Sequence, residues 1–171
     1  MPNRRWLYSS DVATEATLRS DDVLALLGTV PERVTDLVAA YDDPQLEYRH
    51  APAFPTLREV VAHVCQAGTE VDSLLRRAYL DNQRELPVRA SLDPALDVGL
   101  NAPLADLLQG FSRVRRRTVD LLRGLDETDW NQKVVDPQQG EMTMLELCVQ
   151  VAEHELAHIS QLRNLIAVLP D

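Results

Sequence analysis

Several things are scarce in this chain of 171 residues, and each scarcity excludes something. Aromatic residues make up only 5%, and no run alternates apolar and polar residues between turn signals, so a sheet-built core is not expected. No apolar run approaches the length of a membrane span. Arg4 and Arg5 near the start are not followed by an apolar stretch, so a secretory signal is not expected either, and the cytoplasm is the default location. The two cysteines, Cys65 and Cys148, lie amid apolar neighbours. They read as small buried hydrophobes in a reducing compartment, not as a disulfide. Lysine occurs once, at Lys133, and the other basic residues are arginine, a usage that suits a GC-rich bacterial genome. There is no glycine-rich phosphate loop, no Gly-x-Ser-x-Gly elbow, no internal repeat and no low-complexity tract.

The bulk composition is that of a globular protein. Hydrophobic residues reach 45%, and the length suffices for one domain with a core, here 1–171 with the folded part over about 20–168. The formal charge of −10 and the pI near 4.8 disfavour a phosphate backbone or an anionic membrane as partner.

Helical periodicity appears four times. The first 20 residues are ambiguous, with a short helix over Val12–Leu18 as one reading. A first long helix is expected over Asp21–Tyr41, capped by Ser20, with Asp21 and Asp22 at its positive end and a kink or break near Gly28–Val30 imposed by Pro31. The second starts at the capping box Thr56-Leu57-Arg58-Glu59 and runs to about Asn82, with Val60, His63, Ala67, Val71, Leu74 and Ala78 along one stripe. A third spans about Ala102–Arg123, between Pro103 and Gly124. A polar connector, Asp126–Glu141, leads to a fourth helix that opens on Thr143-Met144-Leu145-Glu146 and runs to about Val168, ended by Pro170. Four such helices make an all-α four-helix bundle. The connector between the second and third is roughly 19 residues and reaches about 60 Å when extended, against about 39 Å for a 26-residue helix. It is long enough for those two helices to run parallel.

The chemistry concentrates in the histidines. His154 and His158 are one helical turn apart and fall within the stripe Leu147, Val151, His154, His158, Leu162, Leu165, Leu169. His63 occupies a stripe position on the second helix. One histidine on an apolar face is commonly a hydrogen-bonded core residue. Three of the chain's four in such positions, on two capped helices, point to a divalent metal with positions left open. Such an ion would lower the pKa of bound water or thiol. Gln161, three residues after His158, is placed to orient a histidine or a water; Glu70, two turns after His63, is a candidate acid–base group. Glu59 already serves the capping box. Glu153 and Glu155 are expected to point to solvent or a dimer mate, the arginines 113, 115, 116 and 117 to form a solvated face, and His50 to lie on the surface.

The stretches Pro55–His63, Gly140–Glu146 and Ala152–Gln161, together with Leu125-Asp126-Glu127-Thr128-Asp129-Trp130, resemble in their order and spacing the DinB-like superfamily, which includes YfiT-type proteins. The resemblance covers about residues 20–168. It implies an up-down-down-up bundle, a divalent metal (zinc or nickel) on His63, His154 and His158, and a homodimer. Relatives include thiol-dependent transferases and a mycothiol-dependent isomerase, and none acts as a polymerase. Where relatives often carry an aspartate, three residues after the histidine of the second helix, this chain has Gln66.

The resemblance therefore implies a metal-dependent enzyme, an S-transferase or a hydrolase, that activates water or a low-molecular-weight thiol against a small-molecule substrate. The alternatives are a non-catalytic metal- or ligand-binding stress-response bundle, and a plain dimerising bundle whose histidines are core residues.

Overall fold

The computed structural model describes residues 18–87 and 102–170. The reading of Val12–Leu18 as a short helix, and most of the connector between the second and third long helices, fall outside the described residues.

Four long helices carry the fold: α1 (Ser20–Val38), α3 (Leu57–Tyr79), α4 (Leu104–Arg123) and α6 (Met144–Ile166). Among the described residues they are joined by short helices α2 (Asp43–Leu46) and α5 (Glu127–Trp130) and a hairpin of β1 (Lys133–Asp136) and β2 (Gly140–Thr143). The ends of α3 and α6 follow from their capping boxes. Thr56 Oγ1 accepts from Glu59 N at 3.1 Å while Glu59 Oε2 accepts from Thr56 N at 2.8 Å. Thr143 and Glu146 repeat the exchange at 3.1 and 2.6 Å. Each box satisfies two backbone groups that a helix start leaves unpaired.

For α1 the Ser20 cap, and the break that is one of the two outcomes expected at Pro31, are corrected. Ser20 is its first residue rather than its cap, which is Arg19, whose N–H donates to Asp22 Oδ2 at 3.1 Å. Pro31 does not break the helix, although it leaves the Leu27 carbonyl without its usual donor. Val23, Leu27, Val30, Val34 and Val38 are buried on both sides of the proline, and burying one continuous stripe outweighs one lost hydrogen bond.

Helix directions follow from the two apolar clusters. The first joins Val23 and Leu27 of α1 to Leu74, Leu75 and Ala78 of α3, Val119 and Leu122 of α4, and Leu147, Cys148 and Val151 of α6. The second joins Val34 and Val38 to Val60, Val61 and Val64, Phe111, and Ile159, Leu162 and Leu165. The start of α1 thus lies beside the start of α6 and the ends of α3 and α4, which is an up-down-down-up order. Each of α1 and α3 packs against both α4 and α6, so α4 and α6 stand on opposite corners.

The polar connector before α6 proves to be structured. Asp126 caps α5 by accepting from Asp129 N at 2.9 Å. In the hairpin Val134 pairs with Met142 and Asp136 with Gly140. Asp136 Oδ1 accepts from the N–H groups of Gln138 and Gln139 at 2.8 and 3.0 Å, and Gly140 takes φ +88°, a conformation that costs glycine little. Four-residue strands are too short to declare an alternation. What holds them is burial of Trp130, Val134 and Met142 on the first cluster, together with Leu86 N donating to Val135 O at 2.9 Å.

Candidate metal centre

Helix α3 brings His63, and α6 brings His154 and His158, to one point on their shared seam. His63 is buried and the other two are half-buried. Ring centroids are 5.6 Å apart for His63–His154, 4.6 Å for His63–His158 and 4.4 Å for His154–His158. One ring nitrogen from each lies within 4.8 Å of the others, a group that could hold a metal ion. His154 Nε2 and His158 Nε2 are 3.1 Å apart. Two nitrogens each about 2.0–2.1 Å from a common ion stand about 3.0 Å apart at octahedral angles and about 3.4 Å apart at tetrahedral ones. The observed separation lies between these, so the pair fits one ion.

Gln161 supports this geometry. Its Oε1 is 2.8 Å from His158 Nδ1. An amide oxygen only accepts, so Nδ1 carries the proton and Nε2 presents its lone pair to the centre. Burial pushes the pKa of His158 down, with the Gln161 bond opposing, which favours the neutral ring that a metal requires.

The other sequence candidates are distributed around this point. Glu70 is half-buried and accepts from Gln66 Nε2 at 3.0 Å through Oε1. Glu59 serves the capping box and pairs with Arg49. Glu153 is exposed, as is His50, whose ring meets Phe54 edge-on at 5.9 Å. Cys65 and Cys148 are both buried and free, and burial pushes each thiol up to about 12, so neither is a ready nucleophile.

Two expectations fail here. Glu155 does not face solvent, and Arg115 does not belong to a solvated face. Each is 2% exposed, and they form an ion pair across the core. Burial pushes the Glu155 carboxyl up to about 7, with Arg115 opposing. Arg113, Arg116 and Arg117 are exposed as expected, although Arg117 Nη2 reaches Asp72 Oδ2 at 3.2 Å. The pair did leave a signal. Glu155 falls in the stripe Cys148, Ala152, Glu155, Ile159, Leu162, and Arg115 in Phe111, Arg115, Thr118, Leu122. Each stripe steps by three and four through buried residues and holds one charge, of opposite sign.

Comparison with known proteins agrees with this architecture. The family model described as DinB superfamily matches residues 26–162. No curated protein matches the sequence. Among solved structures, YfiT from Bacillus subtilis, described as a probable metal-dependent hydrolase with an unusual four-helix bundle topology, is similar. It aligns at a TM-score of 0.76 and 19% identity, over 85% of each chain. A mycothiol-dependent maleylpyruvate isomerase aligns at a TM-score of 0.68 and 16% identity, over 85% of this chain and 61% of the isomerase. At these identities the likeness carries the fold. Among the described residues no helix is long and apolar enough to cross a membrane.

Proposed function

Because the chain belongs to the DinB superfamily, we propose that His63, His154 and His158 hold a divalent ion, zinc or nickel, and that the protein is a metal-dependent enzyme acting on a small molecule by hydrolysis or thiol transfer. The observation that carries this reading is the convergence of three imidazoles from two helices with two of them half-buried. A purely structural site closes its coordination sphere with protein ligands, whereas three ligands and access from solvent leave room for a reactant. When bound, the ion supplies the Lewis-acid charge that makes water or a low-molecular-weight thiol nucleophilic near neutral pH.

The chain's own residues do the rest. Gln161 fixes the His158 ring by accepting its Nδ1 proton. Gln66 stands one turn beyond His63, where relatives often carry an acid. Its Nε2 donates to Glu70 Oε1 at 3.0 Å, which leaves the amide oxygen as an acceptor. Glu70 lies about 10 Å further along α3 than His63, so it works through Gln66 or on the far end of a bound molecule. A neutral amide at this position could hold a proton donor in place but would not remove its proton. Two copies of the chain forming a homodimer fit the family resemblance, and light scattering on the purified protein tests that assembly.

The test is metal content by mass spectrometry on untagged protein beside His154→Ala. About one divalent ion per chain is expected, lost in the variant. A cobalt-substituted sample should then change its visible spectrum on adding azide or a small thiol, which requires an open coordination position. Wild-type protein that takes up no zinc, nickel or cobalt refutes the reading. A bound ion whose spectrum ignores every added ligand refutes the catalytic part of it.

A further inference from the structure

Arg115 and Glu155 are among the most deeply buried charged residues of those described, each 2% exposed. They meet through Arg115 Nη2 and Glu155 Oε1 and link the opposite corners α4 and α6 through the middle of the bundle. Among the described residues, Arg115 Nε and Nη1 and Glu155 Oε2 are buried and make no hydrogen bond. Taking two ions out of water is costly, and their attraction repays it only when the remaining donors and acceptors are satisfied. Such a pair is poorly explained by stability and better explained by the geometry it fixes.

That geometry is the rotation of α6 about its own axis. Glu155 lies in the same turn as His154 and His158. At about 100° per residue it stands about 100° round from His154 and about 60° from His158. The residues that share its buried face of α6, such as Cys148, Ala152 and Ile159, pack by apolar burial, which is non-directional. The Nη2–H···Oε1 hydrogen bond is directional. A fixed Glu155 therefore fixes where both imidazoles point. The third histidine is tied to the same element. Gly68, on α3 with His63, has no side chain where Arg115 crosses. A Cβ there would stand 2.5 Å from Phe111 Cε2 and 3.5 Å from Arg115 Nη2. The Phe111 ring in turn lies 5.2 Å from Arg115 Cζ.

We propose that Arg115 and Glu155 are positioning residues of the three-histidine centre, setting the roll of α6 so that His154 and His158 converge with His63. This rests on the metal reading above. It predicts that the pair matters more for how tightly and in what geometry a metal is held than for whether the bundle folds.

Cobalt(II) alone is the probe, read by visible absorption and by titrated affinity, with helicity measured on each variant. Arg115→Met/Glu155→Leu, which replaces both charges with apolar side chains, is expected to keep its helicity. It should bind cobalt about tenfold or more weakly, the loss typical of removing a group that orients a metal ligand, with a shifted band. Glu155→Gln keeps an oxygen for Arg115 Nη2 and should retain the parental band. A double variant with parental affinity and band overturns the proposal. So does Glu155→Gln as damaged as the double variant, because charge near the centre would then be the active property. Should the double variant not fold, Glu155→Asp decides: one carbon shorter, it keeps its bond to Arg115 only if α6 moves, so a shifted band supports the proposal and an unchanged one overturns it. Parental protein that binds no cobalt removes the metal reading and this proposal with it, whereas a parent that binds normally confines any failure to the pair.

Discussion

Gly68→Ala tests whether the tight crossing of α3 and α4 at Gly68 is a packing constraint. The added Cβ would sit 2.5 Å from Phe111 Cε2 and 2.9 Å from Cδ2, both on a buried ring. Ordinary carbon contacts are about 3.5–4.0 Å, so the ring must give by about 1 Å. Overpacking of this kind costs about 1–3 kcal/mol. Replacing glycine by alanine in a helix interior returns about 1 kcal/mol of propensity. Gly28→Ala supplies that propensity term by itself, because nothing lies within 4 Å of its Cβ. Subtracting one variant from the other leaves the packing cost. Gly28→Ala is expected to stabilise by about 1 kcal/mol, and Gly68→Ala to fall about 1–3 kcal/mol below it. Urea unfolding of the three proteins reads both directly. Thermal midpoints should separate by about 2–4 °C per kcal/mol for a chain of this size. Equal stabilisation by the two substitutions would refute the reasoning, since the Phe111 ring would then have room to move.

Other outcomes follow from the same structure. Gln161→Leu should weaken metal binding about 10–100-fold, with little change in helicity, because it removes the group that fixes the His158 tautomer; competition against a chelator measures it. Zinc or nickel at 100 times its dissociation constant should stabilise the parent by about 2.7 kcal/mol and leave His63→Ala unmoved, as urea midpoints will report. Cys148 is fully buried, and its pKa rises from an ordinary 9.0 to about 12 in the fold. The unfolded chain therefore loses that proton first. The stabilisation this thiol contributes is complete below pH 9, is lost progressively as pH rises toward about 12, and should disappear from the pH profile in Cys148→Ala. Both cysteines should react with alkylating reagents in urea and hardly at all in the native protein at pH 8.

The helices and their caps were open to reading because their causes are local. Thr56-x-x-Glu59 and Thr143-x-x-Glu146 close on themselves within four residues, so their geometry is written in the sequence. The three histidines were legible for a related reason: each occupies a step of an apolar stripe, and a stripe declares which face turns inward. Locality also set the limits of that reading. Pro31 carries a local instruction to break α1, which a buried stripe running across it overrules. The hairpin of β1 and β2 has too few residues to show a period and forms because Val134 and Met142 find the first apolar cluster.

By itself, then, the sequence determined four amphipathic helices, where two of them start, and three imidazoles turned toward a common interior. Periodicity and capping act within one segment and need no partner. Tertiary structure alone decided that Arg115 and Glu155 meet, since a charge on an apolar stripe is tolerable only when the opposite charge arrives from another helix. It also decided that the crossing over Gly68 is close, and that three nitrogens on two helices stand within one ion's reach. Those are distances between segments far apart along the chain, and no local pattern encodes them.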